Sequence, residues 1–280
     1  MTRAALRSLV HEARLVCIAL QFLTRVPVPR AVGYEPAWLQ ASLRHFPLVG
    51  AFVGAFAAGV LWAALQVWPP AVAATLSLVA TVWLTGAFHE DGLADTCDGL
   101  GGAVSRARAL EIMKDSRIGS YGAVALVLAL GLKIAVVAAL AAQPAGAALA
   151  LLWMHATSRA APVALVWGLA YAGDTEHAKA KPLATQIHAA GMVVALGWVA
   201  LLGAGLLALA PVIAPPLPPP LAPTLPAALG AAAVASVLTT GLCARWLRRR
   251  LGGFTGDTLG ATQQIVELAG LLAWLAATAR

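Results

Sequence analysis

Charge is what this 280-residue sequence has least of. Asp, Glu, Lys and Arg make up 11% of it, and only 12 residues are acidic. A soluble domain carries about 25% charged residues. That shortage, set against 60% hydrophobic residues, excludes a soluble globule and turns the length into a count of membrane crossings. Cysteine is nearly missing too. Cys17, Cys97 and Cys243 are an odd, scattered set, which argues against a disulfide framework and suits a reducing, cytoplasm-facing chain. No small-residue cleavage site follows the apolar stretch Leu15–Leu23. Thr24, Arg25 and prolines come instead, so the stretch is not expected to be a signal peptide. There is no convincing internal repeat, hence no inverted-repeat signature of a secondary transporter.

What is present is a series of apolar runs near 47–66, 71–88, 120–142, 146–170, 190–213, 226–247 and 263–279, about the length a membrane crossing needs. The connectors alternate. Those near 67–70, 142–146 and 214–225 carry no charge, whereas 24–46, 89–119, 171–189 and 245–262 carry nearly all of it. Seven crossings put every charged connector on one side. The positive-inside rule makes that side cytoplasmic and places Arg280 outside. Leu15–Leu23 is too short to cross and is expected to be a short interfacial or re-entrant helix. The expected fold is thus all-α: a polytopic transmembrane helical bundle, one integral-membrane domain over 1–280, with functional loops at 89–119 and 245–262. Residues 211–226 hold eight of the 17 prolines and read as an extended outer connector. Gly50 and Gly54 offer one small-xxx-small pair for close helix approach.

Half of the acidic residues (Glu90, Asp91, Asp95, Asp98, Glu111, Asp115) fall within 26 positions. Asp91, Asp95 and Asp98 are spaced i, i+4, i+7 and share one helical face. Such neighbours repel by about 0.2–0.5 kcal/mol per pair, and a divalent cation reverses the sign, since Mg²⁺ or Mn²⁺ requires hard oxygen ligands. The alternative is a solvated acidic helix end. Lys114 and Arg117 flank Asp115, as two cations for phosphate oxygens or as a salt-bridged loop. Leu251–Gly260 sets four glycines, with Thr255 and Gly256, around Asp257, a backbone that could wrap an anion or a ligated ion. Asp257 is expected to join Asp91, Asp95 and Asp98 in one site; otherwise it caps the last helix. Arg245 and Arg248–Arg250 read as a positive-inside anchor. Lys133, Arg159 and Glu267 lie inside spans, where a charge marks either a functional site or a buried pair. His155 and Pro162 suggest a broken or cavity-lining span, and His89 is a candidate base or supporting group.

At these residues the sequence closely resembles the cobalamin synthase (adenosylcobinamide-GDP ribazoletransferase) family. The matching text is Phe22–Pro29, which contains Arg25, then Phe46–Gly50, Phe88–Gly99, Leu110–Gly119, Lys133, Ser158-Arg159, Leu251–Gly260 and Glu267. Ala172–His188 and 211–226 depart from the pattern. The resemblance implies a multi-span, Mg²⁺-dependent enzyme of the bacterial inner membrane, with its active site on the cytoplasmic side. It would join adenosylcobinamide-GDP to α-ribazole or its 5′-phosphate and release GMP. Asp91, Asp95, Asp98, Asp115 and Asp257 match the family's acidic positions. With Glu90 they form the expected metal set; Asp91, Asp95, Asp98 and His89 are the expected catalytic residues. Lys114, Arg117, Arg25, Arg159, Thr255 and Gly256 are the expected substrate contacts. Expected partners are the two substrates and membrane lipid, not nucleic acid; a homo-oligomer is compatible. The acidic motif also looks similar to that of CDP-alcohol phosphotransferases. A cation transporter or a non-catalytic scaffold for corrinoid assembly are the rival readings.

Overall fold

The computed structural model describes residues 3–173, 185–213 and 221–278. The chain is an all-α bundle whose described residues pair as strand only at one isolated bridge, Tyr171 with Phe254. Helix α1 (Arg3–Leu23) leads to α2 (Pro36–Ser42), which runs through a 3-10 turn into α3 (Phe46–Leu65). Then come α4 (Pro70–Thr85), α5 (Phe88–Leu100), α6 (Arg106–Met113), α7 (Ser120–Leu140), α8 (Pro144–Gly168), α9 (Ala189–Ile213), α10 (Leu221–Leu251) and α11 (Gly256–Thr278). Proline stands in the first turn of α2, α3, α4 and α8, where its fixed φ helps and its missing N–H costs nothing.

Among the described residues, six stretches are long and apolar enough to cross a membrane: Pro36–Leu65, Ser120–Leu140, Pro144–Gly168, Ala189–Ala208, Thr224–Leu251 and Gly256–Thr278. The second expected crossing, 71–88, is cut short. Gly86 and Ala87 both take left-handed backbone angles and turn the chain by 89° into α5. At 16 residues α4 reaches about 24 Å. It still runs between the two ends of the bundle: Ala73 and Ala74 pack with Ala64, Leu140 and Ala141, and Leu84 packs with Leu23 and Phe254. We therefore count it as the seventh crossing, with α5 lying outside it.

The connectors expected to share a face do meet at one end. Arg106 donates to the carbonyls of Leu251 (2.6 Å) and Ala172 (3.0 Å), and Arg250 donates to those of Leu100 (3.2 Å) and Gly102 (3.0 Å). At the other end, Ala142 and Gln143 meet Trp274 and Thr278. The bundle core is built from α3, α8 and α11 around Leu61, Met154, Leu271 and Trp274. Gly50 and Gly54 lie where α3 meets α8; a Cβ at Gly54 would stand 2.7 Å from the Leu151 carbonyl oxygen. The small-xxx-small pair is thus the contact that lets these backbones touch. Val127 and Leu128 of α7 and Val237 and Leu242 of α10 face outward, as expected of a helix surface that meets lipid.

Three expectations need correction. The N-terminal helix is 21 residues, not the nine of Leu15–Leu23. It is amphipathic: Leu15, Ile18, Ala19 and Leu23 are buried while Leu6, Leu9 and Val10 are exposed, and the polar residues between them continue the helix instead of ending it. The segments 89–119 and 245–262 are largely helices, not loops: α5, α6, the end of α10 and the start of α11. Residues 211–213 and 221–226 of the proline-rich stretch close α9 and open α10, where an extended connector is expected; the expectations for 174–184 within Ala172–His188, for 214–220 and for Arg280 lie outside the described residues.

Candidate active site

The α4–α5 elbow sets the site. Gly86 has φ 69° and lies under the Arg25 guanidinium, whose Nε is 2.8 Å from where a Cβ would stand. The Arg25 amide donates to the Leu84 carbonyl at 2.8 Å. Arg25 is thus seated on the elbow. From it, α5 crosses the first turn of α11 through glycine. A Cβ on Gly92 would be 2.6 Å from the Asp257 carbonyl oxygen, and Gly260 packs against the backbone of His89 and Gly92. No larger residue would let these backbones come so close.

That crossing brings together carboxylates some 160 positions apart. Burial, then the charges of Asp257, Asp91 and Asp98, push the Asp95 carboxyl up to about 7. Asp257 does not cap α11. The cap is Thr255, whose hydroxyl accepts the Thr258 amide at 3.3 Å while the Thr258 hydroxyl accepts the Thr255 amide at 2.8 Å. This reciprocal pair resembles a capping box and leaves Asp257 in the first turn, where the helix dipole favours a negative charge.

Asp98 differs from its neighbours. Its Oδ2 accepts the Gly119 amide at 2.7 Å and its Oδ1 the Gly122 amide at 2.8 Å, so it holds the N-terminus of α7. Gly119 and Gly122 leave room for it: a Cβ on either would meet the carboxylate.

The other expected residues are spread out. Glu90 is buried and turns toward the core, its Oε1 accepting from Gln264 at 3.0 Å. His89 is buried as well and lies at a border, lining both the polar core with Lys133, His155, Arg159 and Glu267 and the cavity shared with Asp91 and Asp257. Asp115 is engaged by Arg117 at 2.6 Å on the surface; that pair holds the Asp115 carboxyl down at about 2. Lys114 follows α6 at its C-terminus.

Lys133 and Glu267 form a buried pair at 2.9 Å. His155 approaches Glu267 at 3.2 Å, and Lys133 also donates to Gln264 at 2.7 Å. Gln263 joins Ser158 (2.9 Å) to Glu267 (2.6 Å). Gln263 and Gln264 carry no charge and so do not stand out in the sequence; their placement one helical turn before Glu267 is the available signal. Helix α8 is continuous through Pro162, and Arg159 and Pro162 line a cavity.

That cavity, about 220 Å³, opens beside Asp91 and Asp257. Its wall includes Phe22, Phe46, Phe88, Tyr171, Phe254 and Arg159. Tyr171 and Phe254 are held in place by backbone: Phe254 donates to Ala170 (3.0 Å) and Ala172 to Phe254 (2.8 Å), which sets the two rings edge to face at 5.6 Å.

The chemistry of the site's donors fits a divalent cation. Asp91, Asp95 and Asp257 offer hard oxygens whose mutual repulsion a cation would relieve. Among the described residues, however, no three His, Cys, Asp or Glu side chains are already placed around one ion position.

The family model described as Cobalamin-5-phosphate synthase matches residues 15–275. The chain belongs to this family. An adenosylcobinamide-GDP ribazoletransferase of Leptothrix cholodnii is 60% identical over 277 residues, covering 96% of this chain and 97% of the relative. Relatives of the same name from Polaromonas naphthalenivorans (47% identical; 90% of this chain, 94% of the relative) and Shewanella amazonensis (41%; 92% and 93%) are similar along nearly their whole length. No solved structure matches the chain. As a member of the cobalamin-5-phosphate synthase family the chain is a transferase of cobalamin biosynthesis, and the rival readings as a transporter or scaffold fall away.

Proposed function

We propose that this chain joins adenosylcobinamide-GDP to α-ribazole or its 5′-phosphate, releasing GMP, at the face where Asp91, Asp95 and Asp257 meet. The observation that carries the location is the Gly92–Asp257 backbone contact, which sets two separate acidic motifs beside one cavity. The ribose 3′-hydroxyl attacks the phosphorus on the cobinamide side, the bond from that phosphorus to the bridging oxygen breaks, and GMP leaves with the electron pair. A carboxylate of this face takes the hydroxyl proton. His89, which lines the same cavity as Asp91 and Asp257, is the other candidate for that proton. Asp91, Asp95 and Asp257 would hold Mg²⁺, which when bound neutralises pyrophosphate charge and eases departure of GMP. Asp98 orients α5 against α7 from behind. With little covalent work for the protein, alignment of hydroxyl and phosphorus supplies much of the acceleration.

The same reading makes the chain one integral-membrane unit in a bacterial inner membrane. The positive-inside rule turns the charged end to the cytoplasm, where a soluble nucleotide-activated substrate and GMP are found. The test is GMP release by the purified protein given both substrates, with Mg²⁺, with Mn²⁺ and with chelator. Release that needs both substrates and the metal supports the proposal; release without an acceptor, or none at all, overturns it.

A further inference from the structure

The cavity beside Asp91 and Asp257 is small. About 220 Å³ lies below the roughly 300–1,000 Å³ of pockets that enclose drug-sized ligands. A corrin macrocycle does not enter it; a bicyclic aromatic base does. Two such bases take part in the proposed reaction, the guanine of the GDP moiety and the benzimidazole of the ribazole, and the wall distinguishes them.

Guanine carries donors and acceptors around most of its edge, and burying them without partners is costly. The wall here is mainly Phe22, Phe46, Phe88, Phe254, Leu43 and Pro162, with His89, Tyr171 and Arg159 as polar side chains beside the Asp91 and Asp257 carboxylates, and the apolar majority satisfies none of them. A dimethylbenzimidazole presents apolar methyls, a π-face and a single free acceptor nitrogen. Aromatic rings supply stacking and edge contacts to that face. A buried donor without a partner of its own stands beside that nitrogen's place. Arg159 lies in the same wall, is buried, and its Nε has no hydrogen-bond partner among the described residues, while its Nη1 is occupied by the His155 carbonyl at 3.0 Å. A buried donor without a partner is expensive.

We infer that this cavity is the subsite for the ribazole base, with Arg159 donating to its free ring nitrogen and the aromatic wall selecting an apolar bicycle. This deepens the reading above and rests on it. The ribose would then project toward Asp91 and Asp257 at the mouth, where its 3′-hydroxyl meets the phosphorus. The guanosine half and the corrinoid remain outside the cavity.

Two measurements on the full-length purified protein decide it. In Leu43→Phe, which fills the cavity without touching a carboxylate, KM for α-ribazole is expected to rise at least tenfold while KM for adenosylcobinamide-GDP changes less than twofold. The same variant should favour unsubstituted benzimidazole riboside over the dimethyl form relative to wild type, since one methylene is worth 10–200-fold in a fitted pocket. In the wild type, indole riboside, which has C–H in place of the acceptor nitrogen, should bind at least tenfold more weakly than benzimidazole riboside. Equal binding of the two ribosides, or a Leu43→Phe effect falling on adenosylcobinamide-GDP instead, overturns the assignment. The ribazoletransferase reading would fail separately, by wild-type protein forming no GMP from the two substrates. If Leu43→Phe does not fold, the wild-type riboside pair decides alone.

Discussion

Gly92 of α5 lies against the backbone of Asp257 at the start of α11, with 2.6 Å between the place a Cβ would take and the Asp257 carbonyl oxygen. Backbone cannot swing aside as a long side chain can. Gly92→Ala must therefore push α5 away from α11 and separate Asp91 and Asp95 from Asp257. Misplacement by about 1 Å can cost 10²-fold in rate. The variant should insert into the membrane and lose about two orders of magnitude in kcat; wild-type turnover would show that the helix contact does not set the site.

The three aspartates of α5 should separate into two phenotypes. Asp98 accepts two α7 amides, and Asn there turns one acceptor into a donor facing an N–H. Asp98→Asn should lower stability by about 1–3 kcal/mol, seen as a lower melting temperature in detergent with or without Mg²⁺. Asp91→Asn and Asp95→Asn, which relieve like-charge repulsion, should melt no earlier than wild type without metal, yet lose most of their turnover. A shared phenotype in all three would contradict this division.

The Asp95 carboxyl, raised to about 7 by burial and by Asp257, Asp91 and Asp98, gives the site a pH dependence of definite sign. In the folded protein Asp95 keeps its proton until pH rises through about 7, while the unfolded chain loses it near pH 3.8. Ionisation in the folded state therefore costs stability, increasingly as pH rises between those values, and the cost is complete above about 7. Below about 7 a cation must displace that proton. The Mg²⁺ concentration for half-maximal activity should fall about tenfold per pH unit from about pH 6 toward 7 and then level off. The metal-free protein should melt at lower temperature at pH 8 than at pH 6. A flat Mg²⁺ requirement across that range would exclude a shared proton and cation site at Asp95.

The Lys133–Glu267 pair, 2.9 Å apart and buried, predicts asymmetry between single and double variants. Removing one partner strands a charge, at about 3–5 kcal/mol. Lys133→Met and Glu267→Gln should each lower the melting temperature sharply, and the double variant should recover much of the loss. Additive losses in a double-mutant cycle would mean that the two do not act as a pair.

Much of this architecture is legible from charge alone. Connectors such as 67–70 and 142–146 are bare while the charged ones meet at one end of the bundle, so alternation of charge reports which connectors share an end before any helix is placed. The i, i+4, i+7 spacing of Asp91, Asp95 and Asp98 likewise fixes a face, since helical pitch is local. The α4–α5 elbow was not legible. Gly86 signals a break, but Ala87 is a helix former held at positive φ by its surroundings, and no window of sequence encodes an 89° turn. Nor could spacing show that Glu90 turns to Gln264 while His89 reaches both the polar core and the cavity beside Asp91. One residue turns a helical side chain by about 100°, and which side is core depends on Gln264 and Glu267, more than 170 positions later. The capping of α11 by Thr255 was hidden because Asp257 is an equally good cap by residue type, and the reciprocal Thr258 bond is seen only in the fold.

The most direct test of a single transfer site built from α5 and α11 is Asp257→Asn, assayed for GMP release from adenosylcobinamide-GDP and α-ribazole across a Mg²⁺ titration. Thr255 and not Asp257 caps α11, so the variant should keep wild-type stability. The account predicts turnover reduced at least 100-fold, with a Mg²⁺ requirement shifted to higher concentration. Wild-type turnover with an unchanged Mg²⁺ requirement would contradict it.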